Sequence, residues 1–596
     1  MRSSSRLFLK VPSSVLSLVA GALLAAGCHH AVKPELGADR TVEAGVPVEF
    51  GSAQEGAPEV SWDFGDGAPA QKGRHLAHAF PRSGTFAVRA LDGATEVGRV
   101  QLTVVPRPVL RAIPEDATVA MYVPQLRGSV EPLVDFYARL MGPDTAQRQL
   151  EDAPFLPMVL QSLKGDSSKV DPEEGFGLFS VPVFEGTVAL LGVTDGKAAL
   201  DTVIQEFESG GHRVQRQGED SARIEMTEVE PVTVFLDRGY LYLAMPQKKE
   251  VPAGEPVQAS TSSPDAEGLR RYVAEFRGPG LSESPLLTQL RAKVAEGIAY
   301  VFIRFPQKDQ GGGFPGFFSS LSVKEGRAEM DGFMPADKPL LQGKQGPAPA
   351  LLEKAPLGPV GVAMMSIPPS ELASLLFGTP GSPRRTEALQ NWSKEGIDAE
   401  ALINSVRGDV TLLVYFDAPA FYRNFLVNKR PEPRGAVMME AGLTRSEPMV
   451  AALTKVFATG TWNVEQSQEK GVTRFRMRVM DQPLVLTVAA DRLSLQAGEA
   501  LDARPRGNVG AALQDRFGAS AFGPSHVSLM LDMGRLRSEM DAPEQVPGVP
   551  PGQLSAAKAF GGAFLDQVTP FDHAFLDFAP EEGGARLRGR VVLRTH

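Results

Sequence analysis

Residues 231–243 read PVTVFLDRGYLYL, and residues 483–495 read PLVLTVAADRLSL. The two stretches align without a gap: Val232, Val234 and Leu236 stand over Leu484, Leu486 and Val488. Each then enters a second apolar run, Tyr240–Leu243 in one and Arg492–Leu495 in the other. Alternating apolar residues, a short polar turn and a second run of the same kind predict a β-hairpin. The same hairpin recurring at long range says that most of this 596-residue chain is built on a repeat.

The repeat extends outward on both sides. Gly186–Val193 reads as a strand and leads into a helix with Leu200, Val203, Ile204 and Phe207 on one face. Gly435–Gly442 likewise leads into a helix with Val450, Leu453, Thr454 and Phe457. Both helices carry the i, i+3, i+7 stripe of a half-buried helix. Thr118–Val123 matches Val360–Met365, and Lys169–Glu174 matches Gly396–Ala401, each ahead of a strand (Gly177–Val181 and Asp409–Phe416). Ala299–Phe305 matches His526–Met533. The last strand pair, Phe318–Val323 with Arg327–Met334, matches His573–Phe578 with Ala585–Leu593. The expectation is two tandem α+β units, residues 112–338 and 355–596, each a mostly antiparallel sheet with helices on one face. A linker over 339–354, Pro-rich at Lys344–Ala350, separates them.

Ahead of the repeat, residues 37–107 have a pure β pattern. Val60, Trp62 and Phe64 alternate with polar residues, and Gly65-Asp66-Gly67 turns the chain. His78 and Phe80 follow, and Gly84–Ala90 alternates again around Phe86 and Val88. Short strands with regular turns read as a β-sandwich. The blocks WDFGDG (Trp62–Gly67) and HAFPRSGTFAVRA (His78–Ala90) resemble the PKD domain, an immunoglobulin-like sandwich. The resemblance implies a spacer or binding module rather than a catalytic one. Asp63 and Asp66 are open to a calcium reading, but two carboxylates fall short of the 6–8 oxygens that calcium takes. Turn residues capping backbone N–H groups are the better reading of both.

The first 28 residues read MRSSSRLFLKVPSSVLSLVAGALLAAGC. A basic head (Arg2, Arg6, Lys10) precedes an apolar run of 17 residues from Val11 to Gly27, short for a spanning helix, which needs about 20. The run ends in small residues before Cys28, the single cysteine of the chain. This arrangement resembles a bacterial lipoprotein signal peptide with Leu24–Cys28 as lipobox, although the Leu stands one place further from the Cys than is usual. The resemblance implies cleavage before Cys28, acylation of its thiol and N-terminus, and a short tether over 29–36. With His29 rather than Asp following Cys28, it further implies sorting to the outer membrane. The order of blocks in the repeat is also similar to the bacterial envelope proteins grouped as DUF3352, a family of unknown function that brings no catalytic residues to carry over.

Composition narrows the function. A net charge of −10 argues against nucleic acid, which requires a basic face. One cysteine excludes internal disulfides and cysteine-rich zinc sites. No nucleophile elbow, P-loop or dinucleotide fingerprint occurs, and Gly518–Phe522 lacks the second glycine of an elbow. His212, His526 and His573 are the candidate bases between the PKD-like module and His596, and the last two open strands, where a satisfied sheet-end histidine is the usual finding. The acidic pairs Glu173-Glu174 and Glu581-Glu582 sit in turns. One loop, Lys308–Phe318, places Phe314, Phe317 and Phe318 around a run of glycines; it is a candidate partner or membrane contact, or the start of a strand folded onto the core.

No cofactor or metal is expected. The expectation is a lipid-anchored, non-enzymatic envelope protein that binds a protein, a glycan or a lipid. A hydrolase using the PKD-like module for attachment is one alternative. A carrier of apolar ligands between the two copies is another, and it requires an apolar cavity of several hundred Å3.

Overall fold

A computed structural model describes residues 34–594, apart from 81–82, 152–154, 166–168, 227–230, 248–265, 276–279, 306–314, 337–348, 367, 431–433, 461–462, 480–481, 499–500, 518–521, 523–526 and 569. Cys28, Phe314, His526 and His596 lie outside the described residues. The chain forms two compact units, Met1–Pro106 and Arg107–His596.

The first unit is a sandwich of short strands. They are β1 (Arg40–Glu43), β2 (Pro47–Gly51), β3 (Val60–Asp63), β4 (Gln71–Gly73), β5 (His75–Ala79), β6 (Gly84–Asp92) and β7 (Thr95–Val105). One sheet has the order β1-β7-β6-β3-β4, with β1 parallel to β7, and the other pairs β2 with β5. The inward residues of both sheets, among them Phe50, Trp62, Phe64, Phe80, Phe86, Val88 and Leu102, make one core. The expected tether is shorter than its sequence suggests. The Glu35 carbonyl accepts from Gly51 N–H at 2.9 Å, and Leu36 packs on the core. An apolar side chain beside an uncovered core is drawn into it wherever it stands in the chain.

The second unit begins with Arg107, which the flanking prolines place in a linker. Its guanidinium is buried and donates to Asp237 at 3.3 Å and to the Tyr242 hydroxyl at 2.9 Å. The first ten strands of this unit are β8 (Val119–Val123), β9 (Phe176–Val181), β10 (Phe184–Gly192), β11 (Arg213–Arg216), β12 (Ser221–Glu225), β13 (Val232–Asp237), β14 (Tyr240–Pro246), β15 (Ala299–Arg304), β16 (Gly316–Lys324) and β17 (Arg327–Pro335). The next ten are β18 (Gly361–Ser366), β19 (Val406–Phe416), β20 (Gly435–Leu443), β21 (Glu465–Glu469), β22 (Val472–Val479), β23 (Gln482–Val488), β24 (Arg492–Ala497), β25 (Val527–Asp532), β26 (Phe571–Glu581) and β27 (Gly584–Leu593). The hairpin of residues 231–243 is β13–β14, closed by Arg238-Gly239 with φ of 41° and 83°. Positive φ at both turn positions matches the twist of the flanking strands, and glycine adopts it without a steric cost.

Every pairing among the described strands of this unit is antiparallel. Read outward from β17, the order is β17-β16-β15-β8-β9-β10-β14-β13-β12-β11. Read outward from β27, it is β27-β26-β25-β18-β19-β20-β24-β23-β22-β21, the same order with ten added to each number. Strands β17 and β27 pair along nine residues, Arg327↔Val592 to Pro335↔Gly584, and so join the halves into one sheet. Among the described strands β11 and β21 each have a single partner, so this path has two ends and the registers do not close it into a ring.

The helices differ from expectation. In the first half they cover both faces of the sheet. Leu190 and Tyr242 pack against Leu269, Val273, Leu287 and Leu290 of the helices Ala266–Glu275 and Pro285–Arg291. On the opposite face Leu191, Leu241 and Leu243 pack against Met158, Val159, Leu200 and Val203 of the helices Leu156–Leu163 and Gly196–Ser209. The reason lies in β10 and β14, which are apolar at consecutive positions (Val188–Leu191 and Tyr240–Ala244) and need cover on both sides.

In the second half three helices, Ala418–Leu426, Met533–Asp541 and Pro551–Val568, make a separate cap around Tyr422, Met533, Met540, Leu554 and Leu565. The cap stands at one end of β19, β25 and β26. Asp417, just after β19, caps the first helix through Ala420 N–H at 3.0 Å, and Asp532, closing β25, caps the second through Arg535 N–H at 2.7 Å. The third helix leads into β26.

Candidate apolar binding groove

Residues singled out in the PKD-like module serve its core and turns. Trp62 is fully buried and donates from Nε1 to the Gly73 carbonyl at 3.0 Å. The Asp63 carboxylate accepts from Gly65 N–H at 3.0 Å and from Arg89, and the Arg89 bond holds it below the usual carboxylate range. Asp66 accepts from Ala68 N–H at 3.0 Å and meets His78 Nε2 at 2.7 Å. The His78 ring stacks on Phe64 with centroids 3.8 Å apart, and Phe80 stacks on Phe86. Gly65 has φ of 71°, and a Cβ there would meet the Ala87 carbonyl at 3.0 Å; Gly67 at 90° and Gly84 at 143° occupy the same left-handed range. Both aspartates are thus spent on backbone N–H groups and on side chains of the module itself, Arg89 for Asp63 and His78 for Asp66.

The loop phenylalanines separate. Phe318 is fully buried and stacks on Tyr300 at 5.6 Å, so it offers nothing to a partner. Phe317 is half-buried on the other face of β16, where its ring lies over Gly332. Of the candidate bases, His212 sits against Phe207 beyond a helix end. His573 is mostly buried, with Nδ1 at 2.8 Å from Asp572, while Arg516 contacts Asp532, Asp572 at 3.2 Å and His573 at 3.4 Å. That guanidinium neutralises the carboxylates around the imidazole. Glu173 is bound by Arg127 and Gln125, and Glu581 by Arg586. Among the described residues, no group of three or more His, Cys, Asp and Glu is placed to hold a metal ion. None of their helices is long and apolar enough to cross a membrane.

The prominent concavity lies where the halves meet. It is an open groove of about 550 Å3 on one face of β16, β17, β27, β26, β25, β18 and β19. The strand registers lay out its surface. Leu412, Ala363, Leu529, Leu576, Gly589, Met330 and Leu321 form one continuous row across the seven strands. At about 4.8 Å per strand the row spans about 29 Å. Val414, Gly361, Leu531, Ala574, Val591 and Ala328 form the next row. Gly361, Ala363 and Gly589 lower the floor between walls of Leu and Met. A Cβ on Gly589 would meet Met330 Cε at 3.3 Å, so these side chains already lean over it. Leu529 and Leu531 are each 43% exposed, a large exposure for Leu in the middle of a sheet.

At the β17–β27 joint the opposite face is ionic, whereas on β18, β19, β25 and β26 it is largely apolar, with Val362, Met364, Leu413, Met530 and Phe575 packed in one core. Arg590 Nε donates to Glu329 at 2.8 Å, and Arg586 binds both oxygens of Asp331 at 2.8 and 2.9 Å. Arg586 also binds Glu581 and thereby holds that carboxyl below its usual range. Asp577, fully buried, accepts from Ser528 Oγ at 2.6 Å. At the joint the sheet is therefore two-sided, with the paired charges on one face and a surface almost wholly of hydrocarbon on the other. The groove offers almost no hydrogen-bond partner, so what it can hold is apolar surface.

The groove residues carry a faint signal in the sequence. Leu529-Met530-Leu531 is apolar on both faces of β25, which calls for cover on both sides, yet Leu529 and Leu531 stay exposed among the described residues.

A family model of the PKD domain matches residues 30–92, which marks this part of the chain as a binding or attachment module. No curated protein matches the sequence. Among solved structures, crystal forms I, III and IV of TP0453 align with 38% of this chain and 79–80% of theirs, at 11% identity and a TM-score of 0.23. A likeness that slight carries no argument.

Proposed function

We propose that this chain is a lipid-anchored, non-enzymatic binding protein of the bacterial envelope, and that the second unit takes an apolar ligand in the groove across the β17–β27 joint. The observation that carries the reading is the groove itself. Its volume falls within the range of about 300–1,000 Å3 usual for small-molecule sites, and hydrocarbon lines it almost throughout. A ligand there removes Leu529, Leu531 and their neighbours from water at about 25 cal/mol per Å2 of apolar area covered. Of the ligand classes open from the sequence, this surface favours a lipidic one over a glycan, which would bring hydroxyls that find no partner. The common strand order of the halves is what a duplication would leave, with the ligand site formed where the copies meet. The PKD module serves as spacer or attachment unit, and Cys28, as the lipidated N-terminus, supplies the anchor.

The groove is tested by native mass spectrometry of the purified protein, before and after organic extraction, with a long-chain fatty acid as added probe. The expected result is a bound lipidic mass, or uptake of the probe, that Leu529→Glu abolishes while the melting temperature holds. A protein that takes up no apolar probe overturns the reading. The anchor is tested by Cys28→Ala, which is expected to abolish fatty-acid labelling and release the protein from membranes; unchanged membrane association defeats it.

A further inference from the structure

The cap beside the groove exposes an apolar helix face that its own fold does not use. On the helix Pro551–Val568, Leu554, Ala557 and Leu565 point into the cap. Phe560 and Phe564, one turn apart, point outward and are 67% and 53% exposed. Ala556 and Ala563 are exposed with them. The helix cannot roll to hide these rings. Gly561 is pressed against Met540, and a Cβ there would stand 2.6 Å from Met540 Cε. A pair of exposed phenylalanines on a fixed helix face marks a surface meant for an apolar partner.

The chemistry around the rings indicates which partner. The one acid of this helix, Asp566, is paired with Arg537 at 3.3 Å and with Arg594, so it adds no free negative charge. Its one base, Lys558, donates from Nζ to the Asp541 carbonyl at 2.6 Å. At the end of the neighbouring helix Val427 is 46% exposed and is followed by exposed Lys429 and Arg430. A Cβ on Gly548, in the loop that leads into the phenylalanine helix, would stand 3.8 Å from Val427 Cγ2. Aromatic rings together with lysine and arginine suit a lipid surface, where the rings enter the acyl boundary and the cations meet anionic headgroups.

We infer that the helical cap docks on an anionic bilayer, with Phe560 and Phe564 inserted at the interface and Lys429 and Arg430 on the headgroups. The docking stands on the cap alone. Its purpose, loading a groove whose strands β25 and β26 the cap adjoins, rests on the groove reading above.

The test uses the full chain carrying Phe564→Trp, on vesicles of phosphatidylcholine and phosphatidylglycerol with brominated acyl chains. Bromine quenches only indole that reaches the acyl region, so the readout is independent of whatever else holds the protein on the vesicle. The expected result is a blue-shifted emission and a loss of intensity beyond the baseline of the native Trp62, Trp392 and Trp462. Val183→Trp, at an exposed turn of the first half, is expected to show no such loss. The quenching should fall in vesicles of phosphatidylcholine alone, and with Lys429→Glu and Arg430→Glu. Quenching of Phe564→Trp at the baseline level overturns the inference, and so does a vesicle-free dimer that Phe560→Ser with Phe564→Ser converts to a monomer. Equal quenching on neutral vesicles overturns the headgroup part. Failure here leaves the bound-lipid mass untouched, and failure of the groove reading leaves the quenching untouched.

Discussion

Glu329 and Arg590, 261 residues apart in the chain, stand directly opposite each other on β17 and β27, with Arg590 Nε donating to the carboxylate at 2.8 Å. Two residues along, on the same face, Asp331 faces Arg588 and is bound by Arg586. The two acids, Glu329 and Asp331, are on β17 and the three guanidiniums of Arg586, Arg588 and Arg590 on β27, while the one base of β17, Arg327, stands at its end opposite Val592. Opposite charges facing across a strand pair stabilise it, and like charges facing each other destabilise it. The pattern favours β17 with β27 over β17 with a β17 from another copy, and so directs the exposed edges of two similar half-sheets to each other within one chain.

The joint is therefore expected to fail by charge rather than by packing. Arg586→Ala leaves Asp331 and Glu581 without their main cation, and hydrogen bonds to charged groups contribute about 1.5–3 kcal/mol each. A loss of that order should appear in urea unfolding of the second unit. Glu329→Arg with Asp331→Arg should cost more, and adding Arg588→Glu and Arg590→Glu should restore part of the loss. No recovery in the fourfold variant would show that these charges do not act as pairs.

Filling the groove tests its use without adding a charge. Gly589→Leu places a branched side chain between Met330 and Leu576 in the middle of the row. Uptake of an apolar probe should fall at least as far as with Leu529→Glu. Stability should change by no more than about 1–3 kcal/mol, the usual cost of overpacking. Unchanged uptake in both variants would place the ligand elsewhere.

In the first unit Trp62 is fully enclosed, so Trp62→Ala should cost about 3–5 kcal/mol, enough to unfold a sandwich of this size. Loss of the near-ultraviolet signal of the module, with the β signal of the second unit retained, is the readout. Added calcium should leave the melting of the wild-type module unchanged, because Asp63 and Asp66 already bind groups of the module itself.

Asp63 gives the module a pH dependence. Its folded pKa lies below the ordinary value of 3.8, chiefly through the hydrogen bond from Arg89. A lowered carboxyl stabilises the fold above its unfolded pKa, and that contribution is lost as pH falls through the lower folded value. The stability difference between wild type and Asp63→Asn should be full above about pH 5 and should shrink steadily below about pH 4. Because the carboxylate is partly exposed, added salt should reduce the difference. A difference independent of pH would mean that Asp63 acts through shape alone.

What the sequence determined by itself was local. The alternation around Trp62, Phe64 and Phe86 set a sandwich, because a strand shows its buried face at every second residue. The paired stretches at 231–243 and 483–495 marked β13–β14 and β23–β24, because a hairpin needs only its turn and its period. Strands β11 and β21 are exposed and of mixed polarity and leave little pattern, whereas β12 and β22 do alternate, burying Ala222 and Ile224 in one and Thr473, Phe475 and Met477 in the other. The place of Arg107 is not local, since nothing near it in the chain announces Asp237 and Tyr242.

The groove was decided by tertiary structure alone. Its rows draw on seven strands from residues 321 to 591, and each strand contributes one or two side chains that look like ordinary core. Alternation tells which residues share a face, but not whether a helix will cover that face. The pairing of β17 with β27 is equally nonlocal: the charges are plain in the sequence, but only the closing of the sheet shows which of them meet.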